Sequence, residues 1–219
     1  MEIDLLVFDL DGTLIDSKLD LALAVNAARA EAGLGPLAHE TIYSYIGKGA
    51  PVLIQKSLGP DADDAQVERS LEFFLSYYRE HMLDNTTLYP GVTEALEKWS
   101  GHKQLAVLTN KPERFSKMIL DGLGVSTHFA RVYGGNTFAT KKPHPEGLNR
   151  LTGELHADPS RTLMVGDSAV DVLTARNAGV PSCGVTYGLQ PETFEQHPPD
   201  ILVDRMEELV EILSNGRQA

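Results

Sequence analysis

The sequence is short of cysteine, of positive charge and of long apolar runs, and each shortage excludes something. A single cysteine, Cys183, stands among 219 residues, so the chain can form no internal disulfide. Cys183 lies in an apolar stretch and reads as a small buried hydrophobe rather than a catalytic thiol. Lys and Arg number 19 against 31 Asp and Glu, a formal net charge of -12. So acidic a surface repels nucleic acid and anionic lipid, and neither is expected as a partner. No stretch approaches the ~20 consecutive apolar residues that a membrane span needs. The N-terminus lacks the basic flank and apolar core of a signal peptide. Internal repeats and low-complexity linkers are missing too. A cytoplasmic globular protein is expected, as a monomer or weak homodimer. If its substrate is an anion, the site must supply its own local positive charge.

What is present has the periodicity of an α/β protein. Residues 4–9 form a short, continuously apolar strand pattern. "LDLALAVNAARAEAGLG" then has helical spacing, with Asp16 or Ser17 as the expected N-cap and Gly33 as the stop. "HETIYSYIG", "APVLIQKSLG" and "DAQVERSLEFFLSYYREHML" read as further helices, and residues 17–83 contain no strong strand signal. After "YPGV", strands expected at 104–109, 131–135, 162–167, 181–187 and 200–203 alternate with helices at 92–100, 112–123, 145–153, 169–178 and 205–214. Such alternation predicts a parallel sheet covered on both faces. The expected organisation is an α/β core of residues 1–16 and 84–219, with 17–83 inserted as an all-helical cap. The last five residues are polar and are expected to fray.

In open parallel sheets, ligands bind at the carboxyl ends of the strands. The first strand ends in Asp9-Leu10-Asp11-Gly12-Thr13, and a later one in Thr109-Asn110-Lys111. A loop carries Lys141-Lys142-Pro143. Another strand ends in Gly166-Asp167-Ser168, with Asp171 one helical turn further on. Clustered carboxylates repel one another and call for a cation, and an oxygen-only set favours a hard one such as Mg²⁺. An EF-hand calcium loop is excluded by its pattern, since Gly12 follows directly after the second acid and the flank is strand-like. Taken singly, each group has a structural reading as a turn former, helix cap or solvated charge. Their joint placement at strand ends favours a site.

Four short motifs, "DLDGT", "TNK", "KKP" and "GDSAVD", appear in that order across the chain. With them the chain resembles the haloacid dehalogenase-like superfamily. "YIGKGAPVLI", "LTNKP", "KKPHPEGL" and "GDSAVDVLTARNAGV" followed by "GVTYG" bring it nearest to the bacterial phosphoglycolate phosphatases. The resemblance implies a Rossmann-like core with a helical cap inserted after the first strand. It also implies a Mg²⁺-dependent phosphomonoesterase working through an aspartyl-phosphate. Asp9 then matches the nucleophile, and Asp11 the general acid and later base. Gly12, Thr109 and Asn110 match the phosphoryl-binding positions, and Lys142 the cation that serves phosphoryl group and nucleophile. Asp9, the backbone carbonyl of Asp11, and Asp167 match the metal ligands. Ser168 and Asp171 stand behind them, Asp171 either in the metal's outer shell or holding Lys142. Lys141 is expected to be solvated.

The cap is expected to choose the substrate. Lys48, between Gly47 and Gly49, is the candidate cation for a substrate carboxylate such as that of 2-phosphoglycolate. The competing reading makes it an exposed turn residue. His39, His81, His144 and Trp99 are assigned to turns and packing. A β-phosphoglucomutase-like phosphomutase would share all four motifs, and pyrophosphate, nucleotides and sugar phosphates stay open as substrates. A dehalogenase or phosphonate hydrolase fits less well, because those relatives lack an acid at the position of Asp11. A non-enzymatic binding protein is disfavoured because every catalytic position is filled.

Overall fold

The computed structural model describes residues 2–215. The chain runs β1 (Leu5–Phe8), β2 (Ile15–Asp16), α1 (Lys18–Glu31), α2 (His39–Tyr43), α3 (Ala50–Leu58) and α4 (Asp64–His81). It continues through β3 (Thr87–Leu88), α5 (Val92–Trp99), β4 (Gln104–Leu108), α6 (Glu113–Gly122), β5 (Arg131–Tyr133) and α7 (Glu146–Glu154). It ends with β6 (Thr162–Gly166), α8 (Ala169–Ala178), β7 (Ser182–Val185), β8 (Ile201–Val203) and α9 (Met206–Asn215). Residues 216–219, most of the polar tail expected to fray, lie outside the described residues; residue 215 closes α9.

Six strands form a parallel sheet in the order β5-β4-β1-β6-β7-β8. The central strands β1 and β6 are buried along their whole length because both faces are covered. Alternation assigns the faces. Leu6, Phe8, Leu105, Val107, Leu163 and Val165 pack with α5, α6 and α9 residues such as Trp99, Ile119 and Leu209. Leu5, Val7, Ala106, Leu108 and Met164 pack on the opposite face with Leu148, Leu151 and Ala175 of α7 and α8. This is the Rossmann-like α/β fold that the strand–helix alternation predicts. Cys183 is buried in β7 with a free thiol that burial pushes up to about 12, in keeping with a structural role. Trp99 stacks on Phe8 at 5.9 Å between ring centroids.

Strand β1 lies between β4 and β6, with Phe8 level with Val107 on one side and Val165 on the other. From β1 the sheet grows one way through β4 and β5 and the other way through β6, β7 and β8, so the crevice for a ligand opens over its carboxyl end. Asp9, Thr109 and Asp167 leave these three strands there. The sheet topology thus gathers groups about 100 and 158 residues apart in the sequence.

The block α1–α4 enters and leaves through β2 and β3, an antiparallel pair with Ile15 opposite Leu88 and Asp16 opposite Thr87. Two residues per strand are too few to show alternation in sequence, so this pair was not expected. No helix among the described residues is long and apolar enough to cross a membrane. Ser17 occupies the N-cap position of α1 but makes no capping bond; its hydroxyl donates to Asp11 instead.

The two ends of the block are tied by Asp20, which is 1% exposed. Its carboxylate accepts from Asn85 N (2.9 Å), Asn85 Nδ2 (2.7 Å), Thr86 N (2.8 Å) and Thr86 Oγ1 (2.8 Å). Asp20→Ala leaves the buried Thr86 donors without a partner. About 3 kcal/mol is the expected cost, a fall in Tm of roughly 6–12 °C for a chain of this size. A melting curve coinciding with wild type would contradict the clamp.

Candidate active site

Beyond Phe8 the chain must leave the sheet while keeping two acids over its edge. Asp9 N still donates to Val165 O at 2.9 Å, and then a tight turn begins with Thr13 N and Leu14 N both donating to Leu10 O. Gly12 takes φ of +86°, where a side chain is strained, and a Cβ there would lie 2.2 Å from Asp167 Oδ2. The turn is therefore open to glycine because Asp167 packs directly against its backbone. Leu189 N donates to Asp167 Oδ2 at 2.7 Å and fixes that carboxylate.

Asp9, Asp167 and Asp171 each offer a carboxylate oxygen within 4.8 Å of the others, and all three residues are buried. Lys142 Nζ sits 2.8 Å from Asp9 Oδ1 and 2.6 Å from Asp171 Oδ1. The first contact is a buried ion pair, and Lys142 is the partner of Asp9 Oδ1. Asp171 is otherwise engaged, since its Oδ2 accepts from Ser168 N and Ser168 Oγ, closing a capping box on α8. Asp171 makes the expected contact to Lys142. Ser168 holds Asp171 in place.

Three carboxylates against one ammonium leave two negative charges uncompensated, and the surroundings resist them. Burial pushes Asp9 up to about 6 despite the pull of Lys142, with Asp171 adding to the rise. Burial, then Asp171 and Asp9, raises Asp167 well above the ordinary carboxylate range. Burial alone would lower the Lys142 ammonium, but Asp171 and Asp9 outweigh it and hold it above its ordinary value. An oxygen-only donor set of three buried carboxylates against one ammonium fits a hard divalent cation.

The other walls come from β4 and the helical block. The Asn110 side chain is a structural clamp: Nδ2 donates to Gly47 O (3.0 Å) and Lys142 O (3.1 Å), while Oδ1 accepts from Lys142 N (3.0 Å). It thereby positions Lys142 and anchors the 47–49 loop over the sheet. Thr109 Oγ1 accepts from Lys111 N at 3.2 Å. The glycines beside Lys48 serve backbone approach, with φ of +105° at Gly47 and +88° at Gly49. Lys48 itself is exposed and faces an outer groove with Tyr45, Lys56 and Ser168. So the structure brings the expected loop to the site without the expected side chain. Lys141 is exposed, as expected.

A different lysine faces the site. Lys111, with a side chain 4% exposed, places Nζ 2.9 and 3.2 Å from the Asp11 carboxylate oxygens and 2.8 Å from Tyr78 Oη. These groups line a cavity of about 40 Å³ between sheet and helical block. Asp9, Asp11, Thr109 and Asn110 share its wall with the apolar Leu21, Ile46, Leu53, Phe74, Leu75 and Phe115. Sequence reasoning gave Lys111 and Tyr78 no role. The available signal was the position of Lys111, at the same strand end as Thr109 and Asn110.

With sheet order, acid cluster and buried lysine in place, comparison with known proteins agrees. The haloacid dehalogenase-like hydrolase family model matches residues 6–185, and the chain belongs to that family. Within it the kinship is with phosphatases. The chain is 38% identical over 218 residues to a phosphoglycolate phosphatase of Colwellia psychrerythraea, covering 95% of this chain and 96% of that protein. A phosphoglycolate phosphatase of Vibrio parahaemolyticus is 38% identical over 221 residues, with 97% of each chain covered. Among solved structures, a predicted phosphoglycolate phosphatase from Haemophilus somnus superposes with a TM-score of 0.92 at 32% identity, covering 97% of this chain and 98% of that one. The protein is accordingly an enzyme of the phosphatase kind.

Proposed function

We propose that the protein hydrolyses a small phosphate monoester, 2-phosphoglycolate foremost, through a phosphorylated Asp9. The observation that carries this is the buried Asp9 carboxylate at the end of β1, 2.8 Å from Lys142 Nζ and clustered with Asp167 and Asp171. A carboxylate so placed attacks phosphorus, forming the Asp9–phosphorus bond as the bond to the ester oxygen breaks. Asp11 gives its proton to the departing alkoxide oxygen. In the second half Asp11 takes a proton from water as that water attacks phosphorus, and phosphate leaves with Asp9 restored. Lys142 neutralises charge on the phosphoryl oxygens and on Asp9, while the Thr109 hydroxyl and the backbone N–H of Asn110 are the proposed phosphoryl donors; Gly12, expected to bind the phosphoryl group too, instead donates its N–H to Ile15 O at 2.9 Å and serves the turn.

Mg²⁺ is the proposed metal, held by Asp9, Asp167 and the Asp11 backbone carbonyl, with Asp171 kept outside by its bonds to Lys142 and Ser168. When bound, it supplies the positive charge that lets an anionic nucleophile meet an anionic ester. Residues 17–83 act as the cap over a core of 1–16 and 84–219, with β2 and β3 as its two connections. The largely apolar cavity wall supports a short-chain acid phosphate over a sugar phosphate, whose ring of hydroxyls would lack partners there.

Phosphate release from 2-phosphoglycolate, 3-phosphoglycerate, glucose 6-phosphate, a nucleoside monophosphate and pyrophosphate, ranked by kcat/KM with Mg²⁺, tests this reading. 2-Phosphoglycolate is expected to lead. Excess chelator is expected to stop turnover, with Mg²⁺ restoring it and Ca²⁺ restoring little, since calcium's larger and looser coordination shell misplaces the phosphoryl group. Full activity in chelator would defeat the metal assignment, and an isomeric sugar phosphate in place of released phosphate would point to a mutase.

A further inference from the structure

The phosphoryl end of 2-phosphoglycolate has its partners, but its carboxylate needs a cation of its own in a chain of net charge -12. Lys48 is exposed and does not line the cavity that holds Asp9 and Asp11. Among the residues lining the cavity, the cation is Lys111. We infer that Lys111, with the Tyr78 hydroxyl beside it, binds the carboxylate of the substrate by exchanging the Asp11 carboxylate for it. This rests on the phosphatase reading above and names the group that selects the substrate.

The geometry makes the exchange balanced. An ammonium has three donors, and Lys111 directs them at Asp11 Oδ1, Asp11 Oδ2 and Tyr78 Oη. No donor is spare, so an incoming carboxylate takes the place of the one already there. Charge is conserved at Lys111. Asp11 is not left bare either, because Ser17 Oγ donates to its Oδ1. The surrounding side chains of Leu21, Phe74 and Phe115 exclude water and strengthen whichever ion pair forms.

The exchange also couples binding to chemistry by position alone. While Asp11 is paired with Lys111, its carboxyl is turned toward the lysine. A substrate whose carboxylate lies one methylene beyond the ester oxygen frees Asp11 to take up from solvent the proton it then gives and to face the ester oxygen, and a substrate without one does not. Tyr78 belongs to α4 and Lys111 to the end of β4, so the anchor joins the helical block to the sheet at the point where the substrate sits. Only a carboxylate reaching both elements completes it.

The test uses two phosphonates that cannot be hydrolysed. 3-Phosphonopropionate keeps the carboxylate of 2-phosphoglycolate, and propylphosphonate puts a methyl in its place. Wild-type protein with Mg²⁺ is expected to bind the first about 10–150-fold more tightly, the range of a charge-assisted contact. Lys111→Met should remove most of that preference and Lys48→Ala should leave it. Lys111→Gln keeps donors for Asp11 and Tyr78 without the charge, and gives the same reading should the methionine variant fail to fold. Undiminished preference in Lys111→Met or Lys111→Gln, or loss of preference in Lys48→Ala instead, overturns the assignment. Phosphate release by the same wild-type preparation is scored separately. Release with the preference unaffected by Lys111 sinks the anchor alone, whereas a Lys111-dependent preference without release from any ester sinks the hydrolase reading alone.

Discussion

Asp9→Asn is expected to lower kcat for phosphate release by at least about 10³-fold while the protein keeps its fold. The amide is nearly isosteric but carries no anionic oxygen to attack phosphorus, and a 10³-fold loss corresponds to roughly 4 kcal/mol of barrier. Thermal stability should move the other way, or not at all. Asp9 is a buried carboxylate whose ionised form is opposed by burial and by Asp171, so a neutral side chain relieves repulsion among Asp9, Asp167 and Asp171. Lys142 loses one partner but retains Asp171 at 2.6 Å. In metal-free buffer the variant's Tm should equal or exceed that of wild type, and the stabilisation gained from added Mg²⁺ should shrink. Near-normal turnover would remove Asp9 as nucleophile. A collapsed Tm would mean that its charge is needed for folding.

The parts of the site carried by short local patterns were legible in the sequence. Asp9 and Asp11 follow an apolar strand directly, and Asp167 ends another, so strand-end logic alone places them together. The sequence leaves Asp171 two roles because helix periodicity gives its face and not its partner; its contact to Lys142 is set by the tertiary fold. Other parts depend on contacts between distant segments. Tyr78 and Lys111 are 33 residues apart and meet because α4 crosses the end of β4. In sequence Tyr78 is one more aromatic on a helix whose buried face also carries Phe74. Ser17 has the residue type and position of an N-cap, yet its hydroxyl turns to Asp11, which no helix rule anticipates. Lys48 was singled out by flanking glycines, but those glycines let the backbone approach Asn110, and a lysine between them needs no such freedom. Strands β1, β4, β6 and β7 are legible because each is a largely buried run, β5 and β8 being short and partly exposed, whereas the β2–β3 pair is set by where the helical block enters and leaves.

Lys142→Met is expected to damage stability and rate together, with the two separating when metal is added. The Lys142 side chain is 2% exposed and lies between Asp9 and Asp171 at 2.8 and 2.6 Å. Methionine fills similar volume but leaves three buried carboxylates with no internal cation. Removing one member of a buried ion pair costs about 3–5 kcal/mol, a large share of the ~5–15 kcal/mol that holds a typical domain folded. For a chain of this length that is a fall in Tm of roughly 6–20 °C. Mg²⁺ should recover more Tm in the variant than in wild type, because it meets three uncompensated charges rather than two. Rate should not recover with it. The metal cannot occupy the Lys142 position, where Asn110 fixes the backbone by two hydrogen bonds and the ammonium faces Asp9. Turnover at saturating Mg²⁺ should stay about 10²–10³-fold below wild type, the loss typical of one preorganised charge-stabilising group. Melting curves with and without Mg²⁺, read beside phosphate release on the same samples, decide it. An unchanged Tm would contradict the buried charge balance. Activity restored by Mg²⁺ alone would show that Lys142 serves the fold and not the phosphoryl group.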